Sequence, residues 1–203
     1  SDLVIALNDA SLAVALGEAL LEGGLPCAEI TFRTAAAQEA IEQMATRFPE
    51  LLVGAGTVCS VPQAIQAANS GAKFIVSPGF DAGVVDWCLQ NDMPIAPGVM
   101  TPTEVGMALS KGIKLLKFFP AGTAGGIPML KAIAAPYGDA KFIPTGGINA
   151  ANLADYLRLP MVHACGGSWL ASKQLLANKD FESIKKLAGE AVAIAREARG
   201  KQP

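Results

Sequence analysis

Segments that favour strands and segments that favour helices alternate along the whole chain, and this alternation limits the possible fold more than any other feature of the sequence. Short apolar runs rich in β-branched and aromatic residues are each followed by a turn and then by a stretch rich in alanine and leucine. The predicted strands cover residues 3–7, 27–32, 51–58, 73–78, 94–100, 114–120, 141–148 and 161–169. The predicted helices cover residues 11–24, 35–48, 61–72, 81–92, 101–112, 126–138, 151–159 and 181–200. Such alternation is typical of a parallel sheet.

The number of strand–helix units predicts how this sheet is arranged. Eight strands with no leftover edge strand favour an α/β fold of one closed (β/α)8 barrel, the TIM barrel, over residues 1–203. A doubly wound open sheet is the alternative, but it usually has fewer strands and carries a glycine fingerprint after the first one. The segment "LVIALNDAS" lacks G-x-G-x-x-G, so no dinucleotide site is indicated.

The charge and composition argue against several classes of partner. The formal net charge is −2 and no lysine- and arginine-rich stripe occurs, so we expect no nucleic-acid partner. No apolar run reaches the roughly 18 residues that a membrane span requires. At 51% hydrophobic, the chain can bury a large core and also a surface between subunits. Its cysteines, scattered without a C-x-x-C pair, predict reduced thiols in the cytoplasm, mostly as core residues: Cys27, Cys59, Cys88 and Cys165.

Charged and polar residues interrupt two of the predicted strands on one face. Successive side chains of a strand alternate between its two faces, so Glu29, Thr31 and Arg33 share one face while apolar neighbours share the other. In "KLLKFFP", residues 114–120, Lys117 shares a face with Phe119. Placing both polar faces towards the barrel axis brings Lys117 and Glu29 into the same interior, near the strand ends where barrel active sites lie.

Lys117 in an apolar strand predicts a particular chemistry. An ammonium buried there is costly unless it finds a partner or loses its proton. A neutral lysine amine attacks a ketone to form a Schiff base, and Glu29 then moves protons. Arg33 offers a fork for a substrate carboxylate, and Thr57 adds a hydroxyl donor. These residues indicate a lysine-dependent aldolase acting on a phosphorylated keto acid.

Two glycine-rich stretches indicate where the phosphate group binds. "PTGGI" ends the seventh predicted strand and "CGGSW" the eighth, and the loops after these strands commonly hold phosphate in barrels. Glycine lets backbone N–H groups approach an anion closely, and a serine hydroxyl adds a donor. The predicted phosphate residues are Gly146, Gly147, Gly167 and Ser168, with Thr145 beside them.

Metal chemistry has little support in the sequence. The chain has a single histidine, His163, whereas zinc sites in aldolases and hydrolases need several imidazoles. We therefore expect no metal and no other cofactor, the lysine imine being the covalent intermediate, and we interpret His163 as structural. Trp87 and Trp169 are interpreted as core or interface residues.

Other interpretations of the polar residues stay open at this point. Glu29 and Lys117 could form a buried ion pair that only fixes packing, although such pairs add little stability. A phosphosugar isomerase or epimerase on the same barrel would use the phosphate loops and Glu29 but leaves Lys117 unexplained. A barrel that serves only as an oligomeric scaffold would fold correctly without turnover.

The motifs "AEITFRT", "VGAGTV", "FIVSPGF", "PIAPGVMTPTE", "KLLKFFPA", "KFIPTGGI" and "GGSWLA" occur in an order and spacing that resemble the class I 2-keto-3-deoxy-6-phosphogluconate (KDPG) aldolases, some of which also act on 4-hydroxy-2-oxoglutarate. The resemblance covers essentially the whole chain. It implies Lys117 as the Schiff-base lysine and Glu29 as the catalytic acid and base. It implies that Arg33 and Thr57 hold the pyruvyl carboxylate, and that Phe119 and Pro78 form apolar walls beside the imine.

The resemblance also places Gly146, Gly147, Gly167 and Ser168 in the phosphate site, with Thr145 nearby, and it implies a homotrimer. Two positions depart from the family pattern. Asn8 stands where relatives often carry lysine or arginine, and Gly122 in "FPAG" replaces a commoner glutamate. Neither position is Lys117 or Glu29, so the departures bear on substrate preference and leave the predicted reaction intact.

Overall fold

The computed structural model describes residues 2–5, 9–32 and 36–200. Its strands are β1 (Asp2–Ile5), β2 (Cys27–Thr31), β3 (Leu52–Gly56), β4 (Ile75–Val76), β5 (Ile95–Ala96), β6 (Gly98–Val99), β7 (Leu115–Phe118), β8 (Lys141–Pro144) and β9 (Gly166–Gly167). Its α-helices are α1 (Ala13–Glu22), α2 (Ala36–Arg47), α3 (Val61–Asn69), α4 (Ala82–Gln90), α5 (Pro102–Ser110), α6 (Gly126–Ala134), α7 (Leu153–Leu157), α8 (Lys173–Ala177) and α9 (Phe181–Gly200). Strands and helices therefore alternate as the sequence predicts.

The strands pair in parallel around a closed circuit. One sheet has the order β5-β4-β3-β2-β1-β9, and the other has the order β6-β7-β8. The bridges from Phe142 to Val162 and from Thr145 to Gly166 join the end of the second sheet to the last strand of the first. Only Pro97 separates β5 from β6 on the other side. This closure is that of a (β/α)8 barrel, so the open-sheet alternative is wrong.

Two predicted strands are interrupted in the structure. The strand predicted over residues 94–100 is divided at Pro97, because proline has no N–H to donate to a ladder; its carbonyl still accepts from the Lys117 N–H at 2.9 Å. The strand predicted over residues 161–169 is reduced to β9 and the bridge at Val162. Beyond β9 the chain forms a 3-10 turn, Trp169–Ala171, and the short α8, which the sequence patterns did not predict.

Side chains on the strands divide between the barrel interior and the helices. Ile30, Leu116, Phe118 and Phe142 are fully buried in the hydrophobic core. Several of the covering helices, α3, α4 and α5 among them, begin at a residue whose side chain accepts a hydrogen bond from a backbone N–H of the first turn. Thr101 and Glu104, for example, form a reciprocal capping box at the start of α5. This shell fixes the outward faces of the strands and leaves the inward faces to line the interior.

The four cysteines are free thiols. Cys88 and Cys165 are buried, and burial raises the pKa of the Cys88 thiol to about 11 and that of Cys165 to about 12. Cys27 is half-buried and Cys59 is exposed, so the prediction that the cysteines are mostly core residues holds for only two of the four. Among the described residues, no helix combines the length and apolar character that crossing a bilayer requires.

Candidate active site

Lys117 and Glu29 meet inside the barrel, as the alternation of strand faces predicts. The Lys117 Nζ lies 3.5 Å from the Glu29 Oε1, and the two side chains are 6% and 2% exposed. This separation is within ion-pair range but longer than the 2.7–2.9 Å usual for a charge-assisted hydrogen bond. The Nζ also lies 5.1 Å from the centroid of the Phe119 ring. The amine is thus held beside a carboxylate and an aromatic wall, away from bulk water.

The register of the strands arranges this interior in layers. Cα partners along β2 and β3 pair Glu29 with Gly54 and Thr31 with Gly56. Along β6 and β7, Gly98 pairs with Lys117. Residues two apart on a strand lie about 7 Å apart along it, so Thr31 and Phe119 stand one layer nearer the carboxyl ends than Glu29 and Lys117.

Glycines leave the room that the buried pair needs. A Cβ placed on Gly56 would lie 1.9 Å from the Glu29 Oε1 and 2.6 Å from its carboxyl carbon. A Cβ on Gly98, beside Lys117, would lie 2.1 Å from the carbonyl oxygen of Pro78. Both contacts are too short for any real Cβ atom. The conformation of the Glu29 carboxylate therefore depends on the absence of a side chain on the neighbouring strand.

A cavity of about 530 Å³ opens at the carboxyl ends of the strands above this pair. The predicted phosphate residues all line it, and so does Phe119. Its lining residues are Thr31, Phe119, Thr145, Gly146, Gly147, Ile148, Asn149, Gly166, Gly167, Ser168, Trp169, Ala171, Ser172 and Lys173. The loops after the seventh and eighth barrel strands thus form one continuous surface, as expected for a phosphate site.

Two features hold the first of these loops in shape. Gly146 and Gly147 have φ angles of 94° and 81°, a left-handed conformation that side chains disfavour. Asn152 stabilises the loop through two hydrogen bonds. Its Nδ2 donates to the Gly147 carbonyl at 2.9 Å, and its Oδ1 accepts from the Asn149 N–H at 2.9 Å. The glycine pair is therefore required by the backbone conformation itself.

In the second loop, the glycine has a packing role as well. A Cβ on Gly167 would lie 1.7 Å from the Trp169 ring, so the indole lies directly against this residue. Trp169 packs on the core and also lines the cavity. Trp169 was predicted to be a core or interface residue. Its position on the wall of the cavity was not predicted. Ser168, between them, is exposed and lines the same cavity.

The remaining predicted residues are placed less centrally. Thr57 directly follows β3 and is half-buried, with a φ of 58°. This conformation is strained for a β-branched residue, and such strain is often found at functional sites. Pro78 is also half-buried, and its carbonyl abuts Gly98, the strand partner of Lys117. Neither residue lines the large cavity. Arg33 lies outside the described residues.

Two cavity residues carry features that the sequence analysis did not assign. Lys173 is exposed at the start of α8, and it is the one charged side chain among the described residues that line the cavity. A solitary lysine on a five-residue helix gives no pattern from which this position could be predicted. Thr31 was predicted to face the axis, but its buried hydroxyl has no hydrogen-bond partner in the described part of the chain. Only the structure reveals that.

Within the described residues, no group of three or more His, Cys, Asp or Glu side chains converges as metal ligands would. His163 lies at the opposite end of the barrel, where it lines an apolar cavity together with residues such as Cys27 and Leu115. The backbone N–H of His163 donates to the Phe142 carbonyl at 2.8 Å, which joins this part of the chain to β8. This contact involves only the backbone and the residue is exposed, so the structural role of the His163 side chain stays a prediction.

Comparisons with known proteins identify the family to which the chain is similar. Residues 3–187 match the family model for KDPG and KHG aldolase. The chain is 46% identical over 191 residues to a 2-dehydro-3-deoxy-phosphogluconate aldolase of Treponema pallidum, covering 94% of this chain and 91% of that protein. It is 40% identical over 193 residues to the KHG/KDPG aldolase of Escherichia coli K12, covering 95% of this chain and 91% of that protein.

A solved structure extends the agreement to the fold. The KDPG aldolase of Legionella pneumophila, crystallised with pyruvate captured as a covalent carbinolamine, superposes with a TM-score of 0.91. The two are 39% identical, and the match covers 94% of this chain and 93% of that one. The predicted resemblance is therefore confirmed, and this chain belongs to the KDPG and KHG aldolase family.

Proposed function

We propose that the protein is a class I aldolase, a carbon–carbon lyase that cleaves 2-keto-3-deoxy-6-phosphogluconate to pyruvate and glyceraldehyde 3-phosphate. A single observation carries this proposal. The Lys117 amine and the Glu29 carboxylate lie 3.5 Å apart, buried below a cavity whose glycine-rich loops suit a phosphate group. The family membership supports the same reaction.

The reaction begins at Lys117. Its neutral amine attacks the C2 carbonyl of the substrate, and loss of water from the resulting carbinolamine gives a protonated imine. Glu29, through a water molecule, removes the proton of the C4 hydroxyl. The C3–C4 bond then breaks, and its electrons pass to the imine nitrogen, which leaves an enamine on Lys117 and releases glyceraldehyde 3-phosphate.

The second half of the cycle returns the enzyme to its starting state. Glu29 or its water protonates C3 of the enamine, and a water molecule then hydrolyses the new imine to free pyruvate. The imine itself withdraws the electrons, so the proposed steps need no metal ion. We propose the same sequence for 4-hydroxy-2-oxoglutarate, which yields pyruvate and glyoxylate.

The rest of the cavity binds the substrate. We propose that Thr145, Gly146, Gly147, Gly167 and Ser168 surround the phosphate, since all five line one cavity. Lys173, also on its wall, supplies a positive charge. Phe119 and Pro78 form apolar walls beside the imine, and Arg33 with Thr57 holds the pyruvyl carboxylate. The strained backbone of Thr57 supports a functional role for that position.

The decisive test is trapping of the imine. Sodium borohydride added with pyruvate should inactivate the protein and leave a reduced adduct on Lys117, located by mass spectrometry of peptides. The matched control is Lys114→Met, because Lys114 lies three residues away on the exposed side and pairs with Asp139 at 3.1 Å. An adduct on any lysine other than Lys117, or none at all, would contradict the mechanism.

A parallel assay addresses substrate choice. Pyruvate release should be measured with the two C4 epimers of the phosphorylated substrate and with 4-hydroxy-2-oxoglutarate. We expect the phosphorylated compounds to have the lower KM, because the unphosphorylated one leaves the glycine loops and Lys173 unused.

We further propose that the protein is a homotrimer in the cytoplasm. Four consecutive helices each expose a large apolar side chain, namely Ile65, Leu89, Met107 and Met129, which suits an interface on that side of the barrel. The free thiols suit a reducing compartment. Light scattering on the eluted protein should give the mass of three chains, and the mass of one or two would contradict the trimer.

A further inference from the structure

The Thr31 hydroxyl is an exception among the buried hydroxyls of the described residues. Thr31 is 5% exposed, and its Oγ1 has no hydrogen-bond partner. By contrast, Ser70 donates to the Gln66 carbonyl, and Ser77 donates to the Gly79 carbonyl. Thr145, just after β8, donates to the carbonyl of Ile143 on that strand. A buried polar group without a partner destabilises a fold, so its presence calls for an explanation.

The position of this hydroxyl indicates a ligand. Thr31 lines the large cavity, together with Phe119 and the glycine-rich loops. It stands two residues after Glu29 on the same face of β2, and so about 7 Å nearer the mouth of the barrel. The hydroxyl therefore lies between the Glu29–Lys117 pair and the phosphate loops.

In the proposed function, the substrate groups beside the Glu29–Lys117 pair and beside the phosphate loops already have partners. In that proposal, Lys117 forms the imine at C2, and Glu29 removes the proton of the C4 hydroxyl through a water molecule. The glycine-rich loops bind the phosphate on C6. The C5 hydroxyl lies between C4 and the phosphate and has no partner yet. With C2 bound to Lys117 and the phosphate at the loops, we expect this hydroxyl at the level of Thr31, whose own hydroxyl can both donate and accept.

We propose that Thr31 is a specificity-determining residue that hydrogen-bonds the C5 hydroxyl of the substrate, which is the hydroxyl that glyceraldehyde 3-phosphate carries beside its aldehyde carbon. This inference rests on the proposed function. It assigns to Thr31 a contact with the aldehyde-derived half of the substrate and no part in proton transfer. The enzyme thereby favours aldehydes with a hydroxyl at that carbon.

The first part of the test compares folding stability. Thr31→Val replaces the hydroxyl with a methyl group of nearly the same size. Because the hydroxyl has no partner in the protein, we expect the urea midpoint of unfolding to stay the same or to rise. Thr103→Val, at an exposed position on α5, is the matched control. A clear fall in the midpoint for Thr31→Val alone would show that the hydroxyl is structural, and it would overturn the inference.

The second part uses the reaction in the direction of synthesis. Pyruvate is condensed with glyceraldehyde 3-phosphate or with 3-oxopropyl phosphate, which is the same aldehyde without the hydroxyl. Loss of one neutral hydrogen bond should lower kcat/KM for glyceraldehyde 3-phosphate roughly three- to tenfold in Thr31→Val. The value for 3-oxopropyl phosphate should stay within about twofold of wild type, and Thr31→Ser, which keeps the hydroxyl, should retain most of the preference.

The outcomes separate the inference from the function beneath it. Equal losses with both aldehydes, or no loss with either, would overturn the role of Thr31 while the wild-type rates still support the aldolase. Failure of the wild-type protein to condense either aldehyde with pyruvate would overturn both. A loss confined to glyceraldehyde 3-phosphate, restored by Thr31→Ser, is the expected result.

Discussion

The two ends of the barrel interior differ in chemistry even though the same strands line both. An apolar cavity of about 310 Å³ lies at the amino ends, and the larger cavity of about 530 Å³ lies at the carboxyl ends. Strands β2, β7 and β8 contribute Cys27, Leu115 and Ile143 to the first cavity, and the same strands or the residues just after them contribute Thr31, Phe119 and Thr145 to the second. Glu29 and Lys117 occupy the positions in between on β2 and β7.

This difference shows how the fold separates stability from chemistry. At the amino ends, the strands begin with apolar side chains that line an apolar cavity. At the carboxyl ends, glycine-rich loops and polar side chains leave a cavity that can be filled by substrate. We call Glu29 and Lys117 the middle layer. This separation predicts that substitutions in the middle layer reduce catalysis most, those in the carboxyl-end loops reduce it less, and those at the amino end reduce it least.

The largest expected effect is that of Lys117→Met, in the middle layer. Without the amine no imine forms, so kcat should fall by about 10³-fold or more. Pyruvate release by a coupled assay measures this, with Lys114→Met expected to stay within about twofold of wild type. Circular dichroism on both variants checks the fold. Substantial activity in a folded Lys117→Met would favour an isomerase-like or other lysine-independent chemistry.

Glu29→Gln should follow, with a loss of kcat of roughly 10²- to 10⁴-fold, the range typical of a general acid–base residue. The amide keeps the size of the side chain but cannot accept the C4 proton. Lys117 remains, so borohydride with pyruvate should still label it given enough time. A variant that cleaves at the wild-type rate would remove Glu29 from the mechanism.

Gly56→Ala tests whether the middle layer depends on its neighbour. The new methyl group would lie 1.9 Å from the Glu29 Oε1, so the carboxylate must leave its present position beside Lys117. Displacement of a catalytic group by about 1 Å can cost on the order of 10²-fold, and we expect kcat to fall by about 10- to 100-fold. Gly138→Ala, where a Cβ would meet nothing within 4 Å, is the control and should have no effect. Equal rates in the two variants would show that the position of Glu29 is not critical.

The middle layer was also the part of the site that sequence predicted best. Strand side chains alternate with a period of two, so the faces of Glu29 and Lys117 follow directly from two short motifs. The glycine-rich loops after the last two strands were likewise predicted, because each Gly-Gly motif stands directly after a predicted strand. The structure adds the left-handed backbone at Gly146 and Gly147. Rules of this kind depend only on nearby sequence, so they can be applied without knowing which distant residues lie close in the fold.

Features that depend on distant neighbours were missed. The absence of a partner for the Thr31 hydroxyl depends on all the chain around it, and the position of Lys173 depends on a helix too short to show periodicity. The strand predicted over residues 94–100 is present, but it is interrupted at Pro97, which has no N–H to donate to the ladder. Sequence pattern and residue propensity therefore predicted the barrel and the reacting pair, Lys117 and Glu29. The full set of residues on the cavity wall could be identified only from the three-dimensional structure.

Lys173→Gln should have a smaller effect, confined to phosphorylated substrate. Its charge is exposed and partly screened, so we expect the KM for 2-keto-3-deoxy-6-phosphogluconate to rise about three- to tenfold with kcat little changed. Cleavage of 4-hydroxy-2-oxoglutarate should be unaffected, and Lys186→Gln, exposed on α9, serves as the control. Equal changes with both substrates would indicate that Lys173 does not act on the phosphate.

The smallest effect on catalysis should come from Leu115→Ala, which lies on the same strand face as Lys117 but lines the amino-end cavity. Removing its partly buried side chain should lower the free energy of unfolding by about 1–3 kcal/mol, which urea denaturation measures. The value of kcat/KM should stay within about twofold of wild type, because the amine and carboxylate one layer above keep their other contacts. A fall in kcat as large as that of Gly56→Ala would mean that packing at the amino end positions Lys117 directly. The two ends of the barrel would then act as one unit in catalysis.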